Sequence, residues 1–197
     1  MGLAVHASVP ARNVQQFVQW AGDQKQAVGY GTVGIGSAGH ILCEAFRDTA
    51  RVNLLHVPFQ GGAQLTQALL ASQVPATFTH VVSLDQHLRS GALRMIGVTA
   101  TERLPNFPDV PTFKEQGIAL ENGSWGGIVA PTGVPAGVVA TLHDAIEATL
   151  ADPGPAEQNR KLSTLVSRMS QTDFHRSILA EYERWGRYIK AANISVT

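Results

Sequence analysis

Three successive strand–loop–helix patterns between residues 27 and 99 limit the fold of this chain more than any other feature. In each pattern a short apolar run is followed by a loop and then by apolar positions at helical spacing. Helices of about ten residues between strands imply right-handed crossovers and a mainly parallel sheet covered on both faces. The sequence therefore predicts the α/β class. The predicted strands are 27–32, 52–57, 76–79 and 93–99, and the helical patterns are 41–49, 65–72 and 81–89.

The regions that flank these patterns contain further signals. Asn13 and Gln16 resemble a capping box that starts a helix over 13–22, and Thr112 to Glu115 has the same form. Between residues 100 and 135, five prolines interrupt regular structure, which suggests a domain crossing.

The last part of the chain reads as one strand followed by helices. The strand is predicted at Gly126 to Ala130, and the helices near 136–151, 155–168 and 172–191, with Thr172 as the N-cap of the last. A single strand cannot form a sheet, so this region is expected to dock on strands that the chain does not encode. The last helix has an apolar stripe formed by Phe174, Ile178, Tyr182, Trp185 and Ile189.

Charge and apolar content narrow the classes of partner. Lysine plus arginine equals aspartate plus glutamate at 15 each, and no basic run predicts a nucleic-acid or membrane surface, so a small molecule or a protein is favoured. No stretch reaches the roughly 20 apolar residues that span a bilayer, and the first residues lack the features of a signal peptide. Cys43 has no internal disulfide partner and is expected to be a small buried side chain.

Residues 34–39, called the glycine loop here, match the pattern G-x-G-x-x-G between a strand and a helix. A dinucleotide site would also need a carboxylate near the end of the second strand, and residues 54–58 contain none. Glycines and the Ser37 cap nevertheless expose amide groups at the positive end of a helix dipole, which suits a carboxylate. A tight turn in which Ser37 only caps its own helix is an equal alternative.

Other chemistries lack their residue patterns. The seven histidines contain no H-x-x-x-H pair and no neighbouring cysteine cluster, which argues against zinc. Ile35 stands where a G-x-S-x-G hydrolase would need glycine. His40 could steady the loop or reach a ligand, and Trp125 could be a cleft aromatic or a buried structural residue.

Four short sequence motifs occur in a characteristic order and spacing. They are Tyr30-Gly31-Thr32 with residues 34–40, residues 56–62 (HVPFQGG), residues 108–112 (PDVPT) and residues 124–131 (SWGGIVAP). Together, from about residue 3 to about residue 193, the chain resembles the Bug-type extracytoplasmic solute receptors of tripartite tricarboxylate transport systems. The resemblance implies a periplasmic-binding-protein-like fold of type II, whose two lobes close on a small organic acid and deliver it to a membrane permease.

The same resemblance implies how the chain is divided. Residues 1–10 would be a remnant of the first lobe or a crossing, residues 11–118 the second, α/β ligand-binding lobe, and residues 119–197 the C-terminal part of an incomplete first lobe. It implies a periplasmic location, no enzymatic activity, no cofactor and no metal, with a dicarboxylate, tricarboxylate or acidic amino acid as ligand. Exposed first-lobe helices would permit self-association.

The set of ligand-binding positions rests on this resemblance, together with the amide groups that the glycine loop and Ser37 are expected to expose. Relatives often have aspartate where Thr79 stands and a larger residue where Gly126 follows Trp125, so their ligand preference does not transfer directly. Two other hypotheses stay open: a degenerate remnant or interaction domain without ligand, and a nucleotide-binding enzyme. The implied ligand-binding residues are Tyr30, Thr32, Gly34, Gly36, Ser37, Ala38, His40, Thr79 and His80.

Overall fold

The computed structural model describes residues 1–122, 125–161 and 166–195. The strands are β1 (Gly2–His6), β2 (Val28–Thr32), β3 (Leu54–Pro58), β4 (Ala76–Thr79) and β5 (Leu93–Val98). The helices are α1 (Val14–Gly22), α2 (Ala38–Ala50), α3 (Gly62–Leu70), α4 (Asp85–Arg89), α5 (Ala136–Ala151), α6 (Pro153–Lys161) and α7 (Gln171–Ala191), with a short 3₁₀ helix at Val81–Leu84. All three predicted strand–loop–helix patterns are confirmed.

The five strands form one mixed sheet in the order β3-β2-β4-β1-β5. Strand β2 pairs in parallel with β3 and β4, whereas β1 is antiparallel to both β4 and β5. The predicted α/β class is confirmed, but the sequence did not predict β1. Strand β1 has only five residues, and its partners β4 and β5 lie far along the chain, so a short apolar run did not identify it.

Helices cover both faces of the sheet, as predicted. On one face, α1 and α2 pack with Val14, Phe17 and Phe46 against Leu3 and Tyr30. On the other, α3 and the 3₁₀ helix pack with Leu65, Leu69 and Leu84 against Ala4 and Met95. Strand β1 alternates between the two cores because successive side chains of a strand point to opposite faces.

Contacts divide the chain into two compact units: Met1–Gly123 with Leu179–Thr197, and Ser124–Ile178. Residues 1–10, expected to be a remnant or crossing, supply the strand β1 inside the sheet of the first unit. The expected ranges 11–118 and 119–197 divide the chain differently, since Leu179–Thr197 belongs to the first unit. How these units correspond to the lobes of relatives stays a prediction.

The local signals at helix starts were mostly correct. Asn13 caps α1 by accepting a hydrogen bond from the Gln16 amide at 2.8 Å. Thr112 and Glu115 form the reciprocal pair of a capping box, at 2.7 and 3.0 Å, around a turn. For α7 the prediction was wrong: the helix begins at Gln171, and the Ser170 hydroxyl, not Thr172, accepts the Asp173 amide at 3.1 Å.

In the second unit the predicted strand at Gly126 to Ala130 does not form. No neighbouring strand pairs with it in the described part of the chain, and Ile128 and Val129 are each 73% exposed. Helix α5 matches its prediction, whereas α6 ends at Lys161, and residues 162–165 of the predicted helix at 155–168 lie outside the described residues.

The stripe predicted on α7 is only partly covered. Trp185 packs against the core of the first unit, but Tyr182 is 80% exposed. Across residues 1–122, 125–161 and 166–195, no helix combines the length and the apolar character needed to cross a membrane. Cys43 is buried in the core, as predicted.

Candidate functional site

The candidate site lies where two parallel neighbouring strands end. Strand β2 ends at Thr32 and β3 at Pro58, and the two are paired in register. Because both run in the same direction, the glycine loop after β2 and the loop at 59–61 after β3 emerge at one edge of the sheet. The Phe59 amide donates to the Thr32 carbonyl at 2.9 Å and ties the two loops together. Helices α2 and α3 therefore both begin at this edge.

The glycine loop turns sharply before α2. Gly34 and Gly36 have φ angles of 135° and 74°, a region that other residues rarely adopt, which explains the glycines of the motif. The Ser37 amide donates to the Gly34 carbonyl at 3.3 Å, and the Ser37 hydroxyl accepts from the His40 amide at 3.3 Å. Ser37 is thus the N-cap of α2, and the amides of Ala38 and Gly39 head the helix without an intrahelical acceptor.

His40 steadies the loop directly. Its ring nitrogen Nδ1 accepts a hydrogen bond from the Gly36 amide at 3.1 Å, and the residue is only 8% exposed. Its ring stacks on that of His56, with centroids 3.8 Å apart and planes 11° from parallel. Of the two roles proposed for His40, the structure shows the first, support of the loop.

His56 was not among the predicted site residues. Its Nε2 lies 2.6 Å from the Thr32 hydroxyl, and its ring also stacks on Tyr30 with centroids 5.1 Å apart. The register pairs Tyr30 with His56 across β2 and β3. Side chains at paired positions share a face of the sheet, so a correct strand register would have pointed to His56.

Burial keeps both imidazoles neutral. It lowers the pKa of His56 to about 4, with a smaller contribution from the neighbouring His40, because a second positive charge at stacking distance is unfavourable. Burial likewise lowers the pKa of His40, which Glu44 partly offsets. An unprotonated Nδ1 on His40 is also what the hydrogen bond from Gly36 requires.

Stability is therefore expected to depend on pH. The folded-state pKa of His56 lies below the ordinary histidine value of about 6.5, so the unfolded chain takes up the proton first as the pH falls. The free energy of unfolding should be constant above pH 6.5 or so and decline from there through the folded pKa of about 4. Urea denaturation from pH 8 to 4 would measure this. In His56→Gln the decline should be shallower, and equal slopes would contradict the assignment.

Tyr30 is buried next to this edge of the sheet, and its ligand-binding role stays a prediction. The side chain is fully buried in the core, and its hydroxyl donates to Glu44 at 2.5 Å. Glu44 is itself buried and pairs with Arg47 at 2.7 Å. The even positions of β2 face α2, which turns Tyr30 inward.

Thr32 is also fully buried and supports the loop rather than reaching solvent. Its hydroxyl lies 3.1 Å from the Gly34 carbonyl and 3.3 Å from the Gly34 amide. Thr79 ends β4 and is 9% exposed, and His80 follows it as an exposed residue. Gly39 of α2 packs closely on the carbonyl of Phe78, which precedes Thr79 in β4. Gly34, Gly36, Ser37 and Ala38 are partly exposed at the same edge.

The chemistry available at this edge is electrostatic. No charged side chain occurs from residue 33 to residue 39, so backbone amides and the positive end of the α2 dipole dominate the local field. This arrangement favours an anion. Within the described ranges, no three histidine, cysteine, aspartate or glutamate side chains are grouped so that they could hold a metal ion.

Trp125 is described separately because it belongs to the second unit. It is 50% exposed and packs edge-on against Phe174, with ring centroids 5.6 Å apart. The alternative of a buried structural tryptophan is therefore wrong. Ser124, which precedes it in the motif at residues 124–131, lies outside the described residues.

A family model described as the tripartite tricarboxylate transporter family receptor matches residues 1–194. The chain belongs to this family. The predicted resemblance is thereby confirmed. The family and its structural neighbours are solute-binding proteins rather than enzymes. A UPF0065 protein from the tcbD-tcbE intergenic region of Pseudomonas sp. strain P51 is 29% identical over 189 residues, which are 95% of this chain and 56% of that protein.

Solved structures of similar proteins share the fold. Rpa4515 of R. palustris, determined with adipate, superposes with a TM-score of 0.87 at 28% identity and covers 98% of this chain and 65% of its own. The periplasmic binding protein BugD superposes with a TM-score of 0.83 at 27% identity, over 98% and 66% of the two chains. The chain thus spans little more than half the length of its curated relative and about two thirds of the solved structures.

Proposed function

We propose that this chain binds a small organic acid as the receptor of a tripartite tricarboxylate-type transporter. The acid is a dicarboxylate, a tricarboxylate or an acidic amino acid, and the receptor delivers it in the periplasm to the membrane permease. Family membership supports the receptor role, and the adipate of Rpa4515 supports a dicarboxylate as the first ligand to test. Transfer to a permease rests on the family alone.

The observation that carries the proposal is the start of α2. The Ala38 and Gly39 amides lie in the first turn of α2, which begins at the edge of the sheet where β2 and β3 end, next to a loop held by Thr32, Ser37 and His40. A carboxylate there would accept hydrogen bonds from amides that have no acceptor within the helix. A loop already held by hydrogen bonds loses little conformational entropy when the ligand binds.

Ala38→Pro tests this site without disturbing the helix. Ala38 is the first residue of α2, where proline is tolerated because its missing amide has no intrahelical partner. Ser37 has φ −65° and ψ 156°, which suits a residue before proline. Loss of one charge-assisted hydrogen bond, at the lower end of its range of about 1.5 kcal/mol, should weaken binding about tenfold.

Ala136→Pro is the matched control, since Ala136 is the first residue of α5 in the second unit. Calorimetric titration with adipate, succinate, malate, citrate, glutamate and aspartate would give the affinities of both variants and of the unchanged chain. Amide chemical shifts of residues 34–40 would locate the ligand. If the acids bind but Ala38→Pro binds as tightly as Ala136→Pro, the ligand lies elsewhere. No binding by any acid would favour a remnant without ligand.

Self-association belongs to the same proposal. Ile128 and Val129 are 73% exposed, and α5 has no buried residue. Exposed apolar side chains in such numbers are common where a surface is covered in an assembly. Sedimentation velocity over a range of concentrations would detect such association, and a monomer at all concentrations would remove it from the proposal.

A further inference from the structure

The side chains of Thr32, His56 and His40 and the backbone amide of Gly36 form a continuous series of contacts that links β2, β3 and the glycine loop. The Thr32 hydroxyl lies 2.6 Å from Nε2 of His56, the His56 ring stacks on His40 at 3.8 Å, and Nδ1 of His40 accepts the Gly36 amide at 3.1 Å. Thr32 also holds both polar groups of the Gly34 backbone. The two positive-φ glycines of the glycine loop, Gly34 and Gly36, are thus each held by one end of this series of contacts.

The protonation states along this series of contacts are restricted. A proton on Nδ1 of His40 would replace the acceptor of the Gly36 amide with a second donor. A proton on His56 would leave its contact with Thr32 possible but would place a charge 3.8 Å from the other ring. Only the state with two neutral rings keeps all contacts favourable.

We infer that His56 and His40 are positioning residues, which hold the glycine loop in its ligand-binding conformation only while both imidazoles are neutral. The inference rests on the proposed function for its ligand, and it assigns to His56 a role that comes from geometry alone. Acid should therefore loosen Gly36 and weaken ligand binding together. The lowered pKa values of both rings place this change below the ordinary histidine range.

Other titratable or charged groups lie next to His40 and His56, and two of them shift the pKa of His40 in opposite directions. Tyr30 stacks on His56 from β2. From α2, Glu44 raises and Arg47 lowers the pKa of His40, and the two are paired with each other at 2.7 Å. Glu44 is buried and holds the Tyr30 hydroxyl, so this neighbouring group is locked in one arrangement.

The first test needs no ligand. Amide hydrogen exchange and the chemical shift of the Gly36 amide would be followed from pH 8 to 4 in the unchanged chain and in two variants. His56→Phe keeps an aromatic ring for stacking but loses the contact with Thr32, and should speed exchange at Gly34 and Gly36 by on the order of tenfold. His175→Phe, the same change at an exposed histidine of the second unit, should leave both amides unchanged.

The second test separates positioning from general stability. In His40→Asn the amide oxygen can accept from Gly36 in place of Nδ1 but does not titrate, so the pH dependence of the Gly36 amide should disappear. His56 and the carboxylates of adipate also take up protons as the pH is lowered, so adipate affinity should fall in both chains but more steeply in the unchanged chain than in His40→Asn, whatever its value at pH 7.5. Unchanged pH dependence of Gly36 in His40→Asn, or no effect of His56→Phe on the loop, would overturn the inference. If the amide behaves as expected but no acid binds, positioning stands and the proposed function fails.

Discussion

Replacing Gly39 by alanine is expected to lower the free energy of unfolding by about 3 kcal/mol, at the upper end of the range for overpacked sites. A Cβ atom at this position would lie less than 3.0 Å from the carbonyl oxygen of Phe78. That oxygen belongs to the backbone of β4, in the interior of the sheet, so it cannot move aside as a flexible side chain would. The first turn of α2 would have to shift away from the strand.

A glycine at the second position of another helix offers a matched control. Gly137 follows Ala136 at the start of α5, as Gly39 follows Ala38 at the start of α2, but no atom lies within 4 Å of its would-be Cβ. Gly137→Ala should be neutral or stabilise by up to about 1 kcal/mol, because glycine is the poorer helix former. Urea denaturation followed by circular dichroism would compare both variants. Equal stabilities would show that α2 does not depend on this close approach.

Much of the α/β half was predictable because its signals are local. The Asn13 and Ser37 caps each depend on a side chain and an amide three residues further on, and the structure shows both hydrogen bonds. Apolar spacing likewise predicted the helical patterns at 41–49 and 65–72, and the structure buries Phe46 and Leu65 of these helices in the core. Signals of this kind need no knowledge of which strands are neighbours.

What could not be predicted depends on contacts far apart in the sequence. Strand β1 pairs with β4 and β5, more than seventy residues away, and a short strand gives no periodic pattern that reveals such pairing. The burial of Tyr30 and the position of His56 beside the glycine loop have one cause, the β2–β3 register that turns both side chains toward α2. The strand predicted at Gly126 to Ala130 does not form, because its apolar residues have no partner strand among the described residues.

Supplying the part of a relative that this chain does not match should raise the affinity for an organic acid by about a hundredfold or more. A receptor that closes two lobes on its ligand surrounds it, whereas the glycine loop alone offers donors from one side. Two charge-assisted hydrogen bonds at about 1.5 kcal/mol each correspond to that factor. Exclusion of water from a closed site would strengthen each of them further.

Rpa4515 is a suitable donor of this part, since the chain covers 65% of it with a TM-score of 0.87 and it was determined with adipate. The fusion and the chain alone would be titrated with adipate by calorimetry, after denaturation curves have shown that both fold cooperatively. Ala38→Pro in the fusion serves as the control, because it should cost about tenfold there if the α2 amides belong to the completed site. If the fusion binds adipate tightly and Ala38→Pro does not weaken that binding, the ligand lies wholly on the added part. Equal affinities of the fusion and the chain alone would show instead that the loops at the ends of β2 and β3 suffice without a second lobe.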